Sequence, residues 1–517
     1  MIRNLRTTIL GLLAAAALIP ATAGAQADLT PAIRAYNENR FDQAAVFLYD
    51  FIAQSGEDAN RAKADFFLGQ TVEKMGLYQS ALFFYSEIIK AGPSHPFYVP
   101  AAEGLVDVAE ALQDDIFIPV LLNKEYSDEF QRIRPEYLHK INYMVGMVSY
   151  RAGQLEDAEA FLSVVPPESA YFARARYLLG IVEVQKGRQG GTEESMDSAT
   201  RLANDYFKQV LGLRSTITLK YTDLSELRDL SRMGLARNFY GLGQYADAVK
   251  YYEEVPRFSP YWDQALFENG WARFQDKDFG GALGTLQALH APQFAGSFQP
   301  ESWILKSTIY YQACLYDEAK ETLETYNTSY PQMVKQIQPL VESDREFADF
   351  YSLITDTKDR QKMPRAIYNY LAANKRVRSF RKYISSLETE KATIESVPAF
   401  RTSSLRGVLI EIVDRQKNML ESVAGKFVKG RLEDAMAVVK GFESQAKIIR
   451  FETSKAEKKR LESGVDYAQA LGNQNLERPV IPAEDWEYWN FQGEFWIDEI
   501  GFYQFTLKSG CMERQAE

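Results

Sequence analysis

The 517-residue sequence has little of what metal centres, disulfide frameworks and histidine chemistry require. Two Cys and three scattered His exclude an all-cysteine zinc site, an iron–sulfur ligand set and a multi-disulfide scaffold. The chain has 59 Lys and Arg against 70 Asp and Glu, and this acidic balance argues against a nucleic-acid-binding protein. The hydrophobic fraction of 46% is too high for a disordered chain.

Signatures of catalysis are missing as well. The sequence contains no G-x-S-x-G, no H-E-x-x-H, no P-loop and no dinucleotide-binding glycine motif. His95, His139 and His290 show no ligand-like spacing with one another or with the cysteines. The sequence therefore predicts a protein that is not an enzyme and that holds neither a metal nor a cofactor.

Only the N-terminus carries a long, uniformly apolar run. Arg3 and Arg6 precede an apolar stretch at 9–19, and residues 23–25 match an A-x-A cleavage site. The stretch is shorter than the roughly 20 residues that a membrane-spanning helix needs. We therefore expect residues 1–25 to be a cleaved signal peptide. The mature protein is expected to be periplasmic and to lack a transmembrane helix, with association to the outer membrane left open.

An internal repeat organises the N-terminal part of the chain. Each copy has a small residue as origin, an aromatic residue or Leu at +9, Ala at +12 and an aromatic residue or Leu at +16. Small residues let two helices approach closely, and positions seven apart lie on one helical face, so each copy predicts a helical hairpin. A Gly at +7 in three copies predicts the turn. The six origins are Ala32, Gly69, Gly146, Ala236, Gly270 and Ser307.

These positions and the 34-residue spacing of two origins, 236 and 270, resemble the tetratricopeptide (TPR) repeat. The resemblance implies an all-α, TPR-type superhelix, an α-solenoid, over residues 28–331, with about eight helical pairs of which six are regular. The pair that follows Gly180 is expected to contain a polar loop at 187–198. Pro331 is expected to end the last second helix.

A superhelix of this kind implies a concave groove that binds a protein partner. Most aromatic residues at +9 and +16 are expected in the core. Tyr251, Trp271 and Tyr310 lie off these positions, and we predict that they line the groove.

Residues 332–470 are expected to form a long, basic helical arm, folded as an antiparallel hairpin or coiled-coil-like pair. Residues 360–460 hold 23 Lys and Arg against 11 Asp and Glu, a net charge of +12, and residues 374–382 are the densest basic stretch. Three interpretations stay open: a solvated helical face, an arm docked on the acidic superhelix, or a contact with an anionic envelope surface.

An aromatic tail closes the sequence at 479–511. We expect it to form a short β clip, with a strand at 502–508. Its tryptophans, Trp486, Trp489 and Trp496, serve either an intramolecular cap or a docking element for a partner.

The tail pattern FxGEFWxDEIGFYxF…C follows the TPR-like units and the helical arm. This order is similar to large exported TPR proteins of gliding and predatory delta-type bacteria, some of which belong to motility machinery. The resemblance implies a scaffold for protein–protein interaction in the periplasm or cell envelope. The alternative is a peptidoglycan- or glycan-associated enzyme or enzyme-activating subunit.

The two cysteines lie far apart in the sequence. Cys314 occupies the +7 position of the last regular repeat, and Cys511 lies near the end of the tail. An oxidising compartment permits a bridge that would pin the tail to the superhelix. Two separate thiols and an intermolecular bridge remain open.

Overall fold

A computed structural model describes residues 28–55, 60–214, 223–462, 487, 489–507 and 511. Within these residues every regular element is a helix, so the predicted all-α class is confirmed. The expected signal peptide at 1–25 lies outside the described residues, as do 463–470 of the expected arm.

In the described part of the chain, sixteen helices form eight consecutive hairpins, which we number as units 1 to 8 and call the superhelix. In chain order the paired helices are α1 (Thr30–Asn37) and α2 (Phe41–Gln54), α3 (Arg61–Lys74) and α4 (Tyr78–Ala91), α5 (Tyr98–Leu112) and α6 (Phe117–Lys124), α7 (Pro135–Arg151) and α8 (Leu155–Ser163), α9 (Phe172–Gly190) and α10 (Glu193–Gly212), α11 (Leu224–Gly241) and α12 (Tyr245–Glu253), α13 (Trp262–Gln275) and α14 (Phe279–Leu289), and α15 (Pro300–Gln312) and α16 (Tyr316–Val341).

The turn inside each regular hairpin is left-handed at the +7 position. The three predicted glycines have φ values of 72–78°, and non-glycine residues adopt the same conformation in the other three units. A left-handed residue ends the first helix and redirects the chain into the second. The non-glycine residues are Asn39, Lys277 and Cys314.

The small positions and the +16 positions pack as the repeat predicts, whereas four of the six +9 side chains predicted for the core are only half-buried, namely Phe41, Tyr78, Tyr245 and Phe279. Each origin and each +12 Ala of the six regular units is buried, and so is each +16 side chain. Tyr85, at a +16 position, lies between Gly69 of its own unit and Gly104 of the next, where an added Cβ would come within 2.9 and 2.6 Å of its ring. The side chains at +16 therefore join helices within a unit and between neighbouring units, and their predicted core role is confirmed.

The predicted loop at 187–198 is wrong, because α9 and α10 extend through it and leave only two residues between them. Thr192 caps α10 by accepting a hydrogen bond from the Ser195 amide at 3.1 Å. The inserted residues lengthen both helices. Phe207 then lies between Gly180 and Gly234, as Tyr85 does between its own two glycines.

The predicted helix end at Pro331 is also wrong. Helix α16 continues through Pro331 and Pro339 to Val341. Its buried face packs on the C-terminal helix, where the Tyr326 hydroxyl donates to the carbonyl oxygen of Val439 at 2.7 Å. This tertiary packing offsets the backbone hydrogen bonds that each proline removes.

The C-terminal helices include an antiparallel hairpin. Lys391 and Lys417 pair across it with Asp414 and Glu388, in the order that antiparallel helices require. The second helix runs for 58 residues without interruption by its glycines. The helices are α17 (Phe347–Thr355), α18 (Thr357–Arg360), α19 (Arg365–Ala373), α20 (Lys375–Ser396) and α21 (Leu405–Glu462), and short 3-10 turns lie at Asp128–Arg132, Pro292–Phe294 and Pro398–Phe400.

This hairpin packs along the superhelix. Helix α21 contacts α15, α16 and α17 and reaches α4 of unit 2. The buried Glu390 carboxylate of α20 accepts hydrogen bonds from the backbone amides of Gln79 and Ser80, both at 2.8 Å. Glu390 therefore satisfies amides at the N-terminus of α4 and fixes the hairpin to unit 2. Of the three interpretations offered for the basic segment, docking describes its buried face.

Candidate partner-docking surface

Residues 489–507 cross α13 and α14 without regular secondary structure, with a hydrogen-bonded turn at 497–501, and we call this segment the C-terminal strap. From 501 to 507 its side chains alternate between half-buried and exposed. The predicted strand is not formed in its described part, 502–507. The strap lies on helices, which offer no strand edge to pair with, and its Phe505 amide donates to the Gly280 carbonyl oxygen at 3.3 Å.

Two glycines of α14 provide the seat for the strap backbone. A Cβ at Gly280 would collide with the carbonyl oxygen of Phe505, and a Cβ at Gly284 with that of Tyr503. Residues four apart share one helical face, so Gly280 and Gly284 together leave a strip of α14 without side chains, on which the strap backbone can lie. The sequence run FGGALG at 279–284 carries this signal, which the repeat analysis missed.

Apolar anchors hold the inner side of the strap. Ile500 is completely buried in a cluster with Trp262 and Leu266 of α13. The rings of Phe495 and Tyr503 meet edge to face at 5.8 Å. These residues cover the apolar surface of unit 7, which is the cap role predicted for the tail.

A disulfide between Cys314 and Cys511 anchors the chain beyond the strap to the α15–α16 turn. The sequence left this pairing open, and the structure contains the bond. The strap is therefore held in two ways, by its glycine seat on α14 and by a covalent link to unit 8.

The strap also carries exposed aromatic side chains. Trp489 and Trp496 are 74% and 58% exposed, and Phe491, Ile497 and Phe502 are exposed beside them. Trp486 lies outside the described residues. A cluster of large exposed apolar side chains on a rigid support is typical of an interaction site.

The three predicted groove residues are half-buried between helices. Tyr251 stacks on Phe239 at 5.3 Å, and Trp271 meets Phe274 edge-on at 5.6 Å. Burial raises the pKa of Tyr310 to about 12. All three contribute to packing between helices, and the structure does not bring them together with the strap tryptophans.

A cleft of about 930 Å³ separates the strap from helices α12–α14. Trp489, Trp496 and Tyr503 line one side. Asn269 of α13 lines the other and is only 4% exposed, yet its Oδ1 atom has no hydrogen-bond partner. Arg273, beside it, is paired with Glu253 and Asp278. The cleft thus combines aromatic rings with a buried, unused acceptor.

The basic stretch 374–382 is partly docked and partly exposed. Val377 and Phe380 are buried. Lys375 pairs with Glu226 of α11 at 3.3 Å. Five cationic side chains remain exposed, and three of them line a second cleft of about 710 Å³ against α17. The exposed residues are Lys375, Arg376, Arg378, Arg381 and Lys382.

His290 and Ser302 are the one neighbouring His–Ser pair among the described hydrogen bonds. The His290 Nε2 atom lies 2.8 Å from Ser302 Oγ, and the imidazole stacks on Trp303 at 3.8 Å. Burial, with the nearby Lys306, lowers the pKa of His290 to about 3. Its Nδ1 atom has no hydrogen-bond partner, so no carboxylate orients the ring. The pair lacks the features of a nucleophile and its base.

The described residues show neither a metal-ligand cluster nor a membrane-spanning helix. They contain no group of three or more His, Cys, Asp or Glu side chains arranged to hold a metal ion. None of the described helices combines the length and apolarity needed to cross a bilayer.

Comparisons with known proteins found weak structural likeness. No family model matches the chain, and no curated protein does. The apo form of RapI shows 11% identity over 76% of this chain and 97% of its own, with a TM-score of 0.33. A Rap protein complexed with Competence and Sporulation Factor shows 10% identity over 76% and 98%, with a TM-score of 0.25. The APC/C hetero-tetramer Cut9–Hcn1 gives 11% over 82% and 95%, with a TM-score of 0.23. Such scores carry no argument about this chain.

Proposed function

We propose that this protein is a non-enzymatic scaffold that mediates protein–protein interaction in the bacterial periplasm or cell envelope. The observation that carries the proposal is the C-terminal strap. Its inner side chains and a disulfide fix it to units 7 and 8, while Trp489 and Trp496 stay exposed. A rigid element that presents large aromatic side chains is suited to hold a partner.

The compartment rests on two supports. The N-terminal sequence has the features of a signal peptide. The disulfide is typical of an oxidising compartment such as the periplasm. The similarity of the tail sequence to exported TPR proteins of gliding bacteria extends the proposal to a motility-related assembly, with association to the outer membrane.

Quantitative capture from the envelope fraction of the source bacterium tests the scaffold role. Full-length protein and the double variant Trp489→Ser/Trp496→Ser serve as baits, and the bound proteins are measured by mass spectrometry. Phe451→Ser is the matched control, because Phe451 is 66% exposed but lies on α21. We expect the double variant to lose specific partners that the control retains. An identical partner set for all three baits would contradict the proposed role of the strap.

The exposed cations of the stretch 374–382 add a second contact, with an anionic envelope surface. Co-sedimentation with vesicles of anionic phospholipid tests it. We expect binding that weakens with salt and with the variant Arg378→Gln/Lys382→Gln, whereas Lys447→Gln/Lys455→Gln on α21 should have little effect. Equal binding of both variants would show that this stretch is not the contact.

A glycan-associated role is the second candidate, because the aromatic rings and Asn269 share one cleft. Sedimentation with purified peptidoglycan addresses it. Binding that depends on Trp496 would favour this candidate over the protein scaffold, and no binding would count against it.

A further inference from the structure

We propose that the cleft under the C-terminal strap binds Lys or Arg side chains of a cationic peptide segment in the partner. This inference rests on the proposed scaffold function and names the chemistry of the partner. Three independent features of the cleft carry it: the charge of its lining, an unused buried acceptor and the placement of its aromatic rings.

The lining of the cleft is acidic. The strap itself, 489–507, contains no Lys or Arg. Both arginines of the lining already have acceptors, Arg273 two carboxylates and Arg257 the carbonyl oxygen of Ile497, although the Nε atom of each is buried without a partner. Four strap-side carboxylates make no ion pair with any described residue. They belong to Glu487, Glu494, Asp498 and Glu499.

A buried acceptor lies on the opposite wall. Asn269 Oδ1 has no hydrogen-bond partner although its side chain is almost fully buried. Leaving such an atom unpaired is destabilising, so a chain that keeps it without a ligand bears a stability penalty. An ammonium or guanidinium group satisfies this acceptor, because it carries donors only.

The aromatic rings are placed to hold a cation. The strap already binds one guanidinium in this way, because Arg257 lies 4.8 Å from the ring of Phe502 and 5.8 Å from that of Trp262. Trp489 and Trp496 line the same cleft, and no described cation lies over the ring of either. A Lys or Arg side chain there gains cation–π and ionic attraction together.

These features favour a cationic peptide over a neutral glycan. Sugar hydroxyls act as both donors and acceptors and therefore need donors from the protein as well. The lining offers such donors in the amides of Asn490, Gln492 and Gln504, but only a cation also neutralises its four carboxylates that make no ion pair with described residues. The apolar side chains beside the cleft, Ile497 among them, suit the aliphatic stem of Lys or Arg.

Fluorescence anisotropy with the full-length, disulfide-bonded protein tests the proposal. The probe is a fluorescein-labelled octapeptide of alternating Arg and Leu. The comparison probes are the matched Glu–Leu peptide and labelled chitotetraose. We expect the basic peptide to bind at least about tenfold more tightly than either, and its affinity to fall as salt rises from 50 to 300 mM. Equal affinity for the acidic peptide would overturn the proposal.

Two variants locate the site. Asp498→Asn/Glu499→Gln removes two charges of the strap and should weaken the basic peptide about three- to tenfold, since two ionic contacts with the peptide are lost. The matched control is Glu193→Gln/Glu194→Gln, two adjacent exposed carboxylates on α10. Equal weakening by both variants would show that only the overall charge matters, and the proposal would fail.

Asn269→Leu separates a ligand site from a structural role. It removes the unused acceptor with little change in volume, so we expect weaker peptide binding with an unchanged or higher Tm. A lower Tm with unchanged binding would contradict the proposal. Chitotetraose binding that is lost in Trp496→Ala would assign the cleft to glycans instead. If the basic peptide fails to bind while strap-dependent partner capture persists, this inference fails alone and the scaffold function stands.

Discussion

The superhelix and the C-terminal strap bury apolar side chains by different means. In the superhelix, Tyr85 packs on glycines of its own unit and of the next, so its environment is close in sequence. In the strap, Ile500 packs on Trp262 and the backbone on Gly284, both of which belong to a distant part of the chain. The units are therefore fixed by local repetition, whereas the strap depends on one seat and one disulfide. Helix α21 shares a feature with each region. Its own structure is locally regular, as in the repeated units, whereas its packing partners are distant in sequence, as those of the strap are.

The largest expected effect tests whether α21 belongs to the folded body. A Cβ at Gly425 would collide with the carbonyl oxygen of Phe347, at the start of α17. Because backbone cannot move aside as a side chain does, Gly425→Ala should lower the free energy of unfolding by about 3 kcal/mol or more. Urea denaturation measures it.

Gly430→Ala, on the same helix, is the control. Nothing lies within 4 Å of its Cβ position, so the change should stabilise the protein by up to about 1 kcal/mol through helix propensity. Equal effects of the two substitutions would mean that α21 extends away from the superhelix in solution.

The next effect concerns the link between α20 and unit 2. Glu390→Ala leaves the amides of Gln79 and Ser80 without their acceptor in a buried site, and we expect a loss of about 2–4 kcal/mol. Glu390→Gln should cost less, because burial raises the pKa of this carboxyl and the amide keeps one acceptor oxygen. Thermal unfolding of both variants measures the difference. Glu388→Ala, exposed and paired only with Lys417, should change stability by less than about 1 kcal/mol.

Sequence patterns predicted the helices and packing contacts that form between residues close to one another along the chain. The six regular units follow from spacing, and in units 2, 4 and 7 the +16 side chain lies against the origin glycine of its own unit. The loop predicted at 187–198 is wrong, since the insertion lengthens two helices where polar and glycine residues indicated a loop. The helix end predicted at Pro331 is wrong for a related reason, because the packing of α16 on α21 outweighs the local helix-breaking effect of the proline. The contacts of Gly280 and Gly284 with the strap involve a segment far along the chain, and the repeat pattern does not predict them.

Acid should weaken the junction between units 7 and 8 through His290, which follows α14 and contacts Ser302 and Trp303 of α15. Its pKa in the folded state is about 3, below the value near 6.5 expected when unfolded, so the unfolded state binds the proton first as the pH falls. The stabilising contribution is present above pH 6.5 and is lost on acidification towards pH 3. The loss is about 1.4 kcal/mol per pH unit, or about 2 kcal/mol between pH 7 and pH 5.

His290→Phe keeps a ring against Trp303 and removes the titrating group. The difference in Tm between wild type and this variant, measured at pH 7 and at pH 5, cancels the contribution of carboxyls elsewhere. The variant should lose less stability over this interval. The same pH slope in both proteins would show that His290 is accessible to protons in the folded state.

The smallest effect on overall stability is expected from detaching the strap, because it lies on the outside of units 7 and 8 and separates none of the helices. Gly284→Ala displaces the Tyr503 carbonyl from its seat, but the disulfide keeps the strap nearby. We expect the free energy of unfolding to fall by no more than about 1 kcal/mol. Limited proteolysis should nevertheless cut within 489–507 faster than in wild type.

Cys511→Ser alone should also leave the seat occupied, whereas the double variant Gly284→Ala/Cys511→Ser should release the strap and expose Trp262. The two anchors would then be redundant, and their combined effect on the cleavage rate should exceed the product of the single effects. Gly241→Ala, at the open end of α11, controls for an added methyl group. If the double variant instead unfolds the superhelix in one cooperative transition, the strap is part of the core of units 7 and 8. The contrast between repeated units and an added strap would then hold for the sequence only, since both regions would share one folding equilibrium.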